Sequence, residues 1–156
     1  MKKVIIGILV LFFLVFIISY FKPMEVKDIM EPYTGEMMPD KIGSSIYFSP
    51  HSSKELEVTG KESIDQIVTL LESMKVRKLV RSPNEWSPEF KNTYLFIFDI
   101  ENKENLTINI LNSKYIKINQ NTYKIIEKPD LSKLYEIIIL DQPKDTLDNF
   151  YYEQME

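Results

Sequence analysis

An unbroken apolar run from Val4 to Ile18 constrains this chain more than any other feature of its sequence. Lys2 and Lys3 precede the run, and Ser19, Tyr20, Phe21, Lys22 and Pro23 close it. A membrane-spanning helix needs ~20 predominantly apolar residues, so Val4–Phe21 lies at the short end of that range. Tyr20 and Phe21 fall where interfacial aromatics sit, Lys22 can snorkel toward head groups, and Pro23 ends the helix. Residues 1–23 are therefore predicted to form a single-pass signal-anchor helix. A cleaved signal peptide is the rival, because its charged start and apolar centre look the same. Cleavage needs small residues in an A-x-A-like pattern, and here only Ser19 is offered, between Ile18 and Tyr20. The uncleaved anchor is the reading adopted. Lys2, Lys3 and the terminal amine favour a cytoplasmic N-terminus with the remaining chain outside the membrane. Lys22 and Lys27 oppose that bias, in the company of Glu25, Asp28 and Glu31.

The 156 residues leave room for one domain after the anchor. There is no cysteine, which excludes disulfides, Cys-ligated zinc, iron–sulfur clusters, thiol nucleophiles and lipoprotein processing. Alanine is absent too, while Ile, Lys, Asn and Tyr are abundant, the bias an AT-rich genome of a low-GC Gram-positive bacterium would produce. Leaving out Lys2 and Lys3, 17 of the 19 basic residues face 23 acidic ones, a net charge of −6. So acidic a domain is a poor prospect for nucleic acid, and a poor fit to an anionic membrane surface.

Residues 24–41 read as a linker, with Pro32, Gly35 and Pro39, several acids, and Ile29, Met30, Met37 and Met38 without clear period. A Met-rich partner-binding peptide is the functional alternative there. From residue 42 the pattern becomes that of a folded domain. Ser45–Ser49 reads as a first strand, with Leu56–Val58 as a short partner. Thr59 and Glu62 have capping-box spacing, and Ile64, Ile67, Val68, Leu71 and Met74 recur at helical spacing as a core stripe. Val76–Val80 reads as a strand with Arg77, Lys78 and Arg81 turned outward. The stretch from Ser82 to Pro88 reads as a loop by its punctuation. Thr93–Ile100, Leu106–Leu111, Tyr115–Ile118 and Thr122–Ile126 then follow as an antiparallel meander with polar turns. Asp130 is placed to cap a last helix through Leu131, Leu134, Tyr135 and Ile138, with a strand over Ile137–Leu140 as the alternative ending. The predicted fold class is α+β: one antiparallel sheet with one or two helices on one face over residues 42–140, then an acidic tail over 141–156.

An anchor, an opening Ile-rich strand, a helix over Glu62–Met74, a meander ending in Tyr123-Lys124-Ile125-Ile126 and a final helix together resemble the YhfM-like extracytoplasmic lipoprotein domains of Gram-positive bacteria. The likeness is one of layout and covers roughly Ile42–Leu140, without the lipobox cysteine. Such domains are largely of unknown function, so the resemblance implies placement outside the membrane and supplies no catalytic residues.

The residues themselves offer little chemistry. His51, the only histidine, sits in the loop Pro50–Ser53, where a Ser–His pair lacks the orienting acid and convergence a triad demands. With four glycines there is no phosphate-cradling loop. Asp40, Asp99, Glu101, Glu104 and Asp141 are scattered without calcium-loop spacing, and no cofactor is implied. The candidate binding residues are Trp86, Arg77 and Arg81, beside Lys78 and Phe90, because Trp and Arg dominate interface hot spots. Trp86 covering the core is the alternative. The expected function is a membrane-tethered, extracytoplasmic, non-catalytic interaction or sensor domain. A small domain binding cell wall or peptide is the alternative, and a hydrolase built on scattered carboxylates is a third.

Overall fold

The computed structural model describes residues 2–35, 38–49, 52–79, 92–100 and 105–143. Among these the chain forms four helices and eight strands. Helix α1 is Lys2–Phe21 and strand β1 Met24–Glu25, followed by α2 (Val26–Thr34), β2 (Lys41–Ser49) and β3 (Ser52–Val58). Next come α3 (Lys61–Glu72), β4 (Lys75–Lys78), β5 (Asn92–Asp99), β6 (Leu106–Leu111), β7 (Tyr115–Ile118), β8 (Asn121–Glu127) and α4 (Ser132–Leu140). The strands make one antiparallel sheet in the order β1-β4-β8-β7-β6-β5-β2-β3. The α+β class and the β5–β8 meander are as the sequence predicts.

Strand alternation decides which face is buried. Tyr94, Phe96 and Phe98 of β5 point to one face and are buried, while Leu95 and Ile97 between them point to the other. Leu106, Ile108 and Ile110 continue that inner face on β6, Ile116 and Ile118 on β7, and Ile42 and Ile46 on β2. Helix α3 lays Ile64, Ile67, Val68 and Leu71 on it, and α4 adds Leu134 and Ile138. The turns that hold the meander use residues tolerant of positive φ. Asn112 and Ser113 take φ of 52° and 56° between β6 and β7, and Lys114 N–H closes the turn on Leu111 O at 3.1 Å. Asn119 takes φ 50° between β7 and β8, donates its N–H to Thr107 O and accepts Thr107 N–H on Oδ1, both at 2.8 Å.

Three details correct the sequence reading. Residues 24–41 are not a plain linker: β1 pairs with β4, and α2 buries Val26 and Met30 in the core. The apolar residues lie four apart, on one helical face, and Val26 N–H bonds Met74 O at 2.9 Å. Strand β4 is Lys75–Lys78 rather than 76–80. The expected capping box does not form, since Gly60 is the N-cap of α3 and no side chain of that segment caps it. Asp141, at the end of α4, supplies the acceptor instead. Its Oδ2 takes Thr59 N–H at 2.9 Å and its Oδ1 takes Gly60 N–H at 3.1 Å. Gln142 adds a bond from Nε2 to Glu57 O at 3.0 Å. A Cβ on Gly60 would collide with the Asp141 carboxylate, so the closeness of this clamp depends on glycine there. Asp141→Ala is expected to lose about 1–2 kcal/mol in chemical denaturation, the scale of a lost N-cap, and Asp141→Asn about half of that.

Among the described residues, no helix is long and apolar enough to cross a membrane. In α1 the side chains so described are those of residues 5–15.

Candidate functional site

Strand alternation places Arg77 on the sheet face opposite the helices, where it is exposed. In register it stands opposite Lys124 of β8, and Lys124 stands opposite Tyr115 of β7. A row of Arg77, Lys124 and Tyr115 therefore crosses three neighbouring strands on the outer face. Lys124 is exposed and Tyr115 half-buried. Lys78 alternates to the other side of β4 and stands opposite Tyr123. Trp86, Arg81, Phe90 and His51 lie outside the described residues. The structure thus places one of the three candidate binding residues, Arg77, and gives it a cationic neighbour that its sequence position does not announce. Only β4–β8 pairing brings Lys124 to it.

Two concavities lie on opposite sides of the sheet. The first, about 480 Å³, lies on the outer face and is lined by Asn105, Thr107, Asn109, Lys117, Asn119 and Gln120. Carboxamides offer both donors and acceptors, and among the described residues no carboxylate lines the hollow. Its shape is set by the bonds between Asn119 and Thr107, so β6 and the β7–β8 turn form it together. The second, about 340 Å³, is a groove between α3 and α4 with Leu70 and Ile137 on its floor and Glu62, Asp65 and Lys133 at its rim.

Perturbed ionisable groups mark structural joints and not these hollows. Asp130 is held below the usual carboxylate range, first by the Ser132 hydroxyl donating to Oδ1 at 2.8 Å and then by Ser132 N–H at 3.0 Å. A carboxylate lowered on folding adds stability at neutral pH, and that contribution is lost as pH falls through its folded value. Lys75 is raised by its hydrogen bond to Glu127, with N···O at 2.9 Å, and by the charge of that partner. Its contribution has the opposite sign and disappears as pH rises through the folded value. Burial raises Tyr94, whose hydroxyl donates to Leu131 O at 3.3 Å and ties β5 to the start of α4. Among the described residues no group of three or more His, Cys, Asp or Glu is arranged to hold a metal ion.

Compared with known proteins, the chain matches no family model, and neither curated proteins nor solved structures give a significant match.

Proposed function

We propose that the chain is a membrane-tethered interaction module, with α1 as a single-pass anchor and the α+β domain on the extracytoplasmic side. The observation that carries this reading is the surface of α1. From Ile5 to Val15 its large apolar side chains are each about half exposed or more, up to 72% at Phe12, so over these residues no face of the helix is covered by the domain. A helix apolar on all sides needs an apolar solvent. At 1.5 Å per residue, its 20 residues would reach about 30 Å, the thickness of a bilayer core. Only Lys22 and Pro23 separate α1 from β1, so the anchor enters the sheet at its edge without a spacer.

An interaction role is favoured over chemistry because the described carboxylates are dispersed and the shifted one, Asp130, bonds its neighbour Ser132. The layout likeness to YhfM-like domains supports the same placement. Protease treatment of intact protoplasts carrying a C-terminally tagged chain tests it. The tag is expected to be removed while a short N-terminal fragment stays with the membrane after alkaline carbonate extraction. A tag that survives until the membrane is lysed would place the domain in the cytoplasm. A chain released by carbonate would remove the anchor itself.

The carboxamide-lined hollow favours a second reading, in which the module holds a hydroxyl- or amide-rich polymer such as cell wall. Retention on insoluble wall material that Asn109→Ala weakens would support it.

A further inference from the structure

The charge of the domain is not evenly spread. Strands β1, β4 and β8, with the residues flanking them at Lys22 and Lys128, form the sheet edge that continues directly from α1. Over residues 22–25, 75–78 and 121–128 there are six basic side chains against two acidic ones, Glu25 and Glu127. Glu127 is already engaged by Lys75. The chain beyond Lys3 carries a net −6, so this edge is a cationic island in an acidic domain.

Resting on the anchor reading, we propose that this edge docks the domain onto anionic lipid head groups of the bilayer that holds α1. Charge complementarity selects the partner chemistry, because Lys and Arg near a bilayer surface are attracted to anionic lipid over about one Debye length. Continuity selects the bilayer over a distant polymer. The two residues between α1 and β1 span at most about 7 Å, within that screening length. Met24 stands opposite Val76, which places Arg77 one residue away and Lys124 across from it. Arg77 and Lys124 project from the same face, with Ile126 40% exposed beside Lys124 on β8. Glu55 and Glu57, on the far edge strand β3, are then held away from the head groups.

The test uses the full chain in vesicles, and its lack of cysteine allows clean single labels. A fluorophore is placed at Ile126→Cys, and for comparison at Ser53→Cys on β3, with an acceptor on lipid head groups. Energy transfer from position 126 is expected to be stronger in phosphatidylglycerol-containing vesicles than in phosphatidylcholine alone, and weak from position 53 in both. Arg77→Glu with Lys124→Glu is expected to reduce the docking equilibrium constant by roughly five-fold or more for each cation removed. High salt should do the same. Equal transfer in both lipids, or indifference to the charge reversal, overturns the docking. So does a label at 126 shielded from an aqueous quencher to the same degree in detergent and in vesicles. Flotation at neutral pH, with and without an alkaline carbonate wash, separates the two readings. A chain that floats without lipid or charge dependence keeps its anchor and loses the docking. One that floats only with anionic vesicles at low salt keeps the docking and loses the anchor, and one that never floats loses both.

Discussion

Phe96→Ala is expected to destabilise the domain by about 3–5 kcal/mol, the range for emptying a buried phenylalanine site. Phe96 is fully buried near the middle of the sheet, between β2 and β6 partners Ser44 and Ile108. Its ring lies 6.1 Å from that of Tyr94 and 6.4 Å from that of Phe98 along the same face. Packing density allows no neighbour to fill the vacancy without moving the sheet or the helices above it. With an m-value of roughly 2 kcal/mol/M, the urea midpoint should fall by about 2 M. Ile97→Ala is the companion measurement. Ile97 is the next residue along and points outward, so its loss is expected to stay below about 1 kcal/mol. The contrast tests register, because a slip of one residue exchanges the two faces. If Ile97→Ala costs more than Phe96→Ala, the inner and outer faces are reversed.

That contrast also marks where sequence reading works. On β6, Leu106, Ile108 and Ile110 alternate with Thr107 and Asn109, and a period of two has one meaning in an antiparallel sheet. Helix α3 is equally legible, because its apolar stripe runs along a 12-residue helix with no competing pattern. The clamp at its start is not. Thr59 and Glu62 satisfy the local rule for a capping box, yet the backbone N–H groups bond a carboxylate 81 and 82 residues away. A local motif states only what a segment can do alone, and Asp141 offers the same N–H groups a charged acceptor once α4 packs beside α3. The cationic row is hidden in the same way. Arg77 stands out in sequence beside Lys78, whereas Lys124 becomes its neighbour only through β4–β8 pairing.

Charge gives a further instance of the difference between composition and placement. The net −6 argues against an anionic surface only if charges are evenly distributed. Antiparallel pairing gathers Lys75, Arg77, Lys78 and Lys124 on two adjacent strands, and leaves Glu55 and Glu57 at the opposite edge. Screening limits each exposed charge to about 8–10 Å, so a partner meets the local patch and not the average.

Met30→Ala is expected to cost about 2–5 kcal/mol, although it lies in a stretch whose composition resembles a tether. Punctuation conceals the helix: Pro32, Gly35 and Pro39 crowd a nine-residue element that is too short to declare a period. The structure gives the punctuation a role. Gly35 ends α2 at φ 57° and donates its N–H to Glu31 O at 2.7 Å, as a helix stop does. Val26 and Met30 then face the core at 0% exposure, while Lys27 and Glu31 face solvent. Glu31→Ala should therefore change stability by no more than about 0.5 kcal/mol. The pair distinguishes two mechanical pictures of the protein. If Met30→Ala is as silent as Glu31→Ala, residues 24–34 are a tether and the domain hangs free of α1. If it is as damaging as a core substitution, the segment after α1 is part of the folded unit, and the orientation of α1 is coupled to the sheet through β1 and α2.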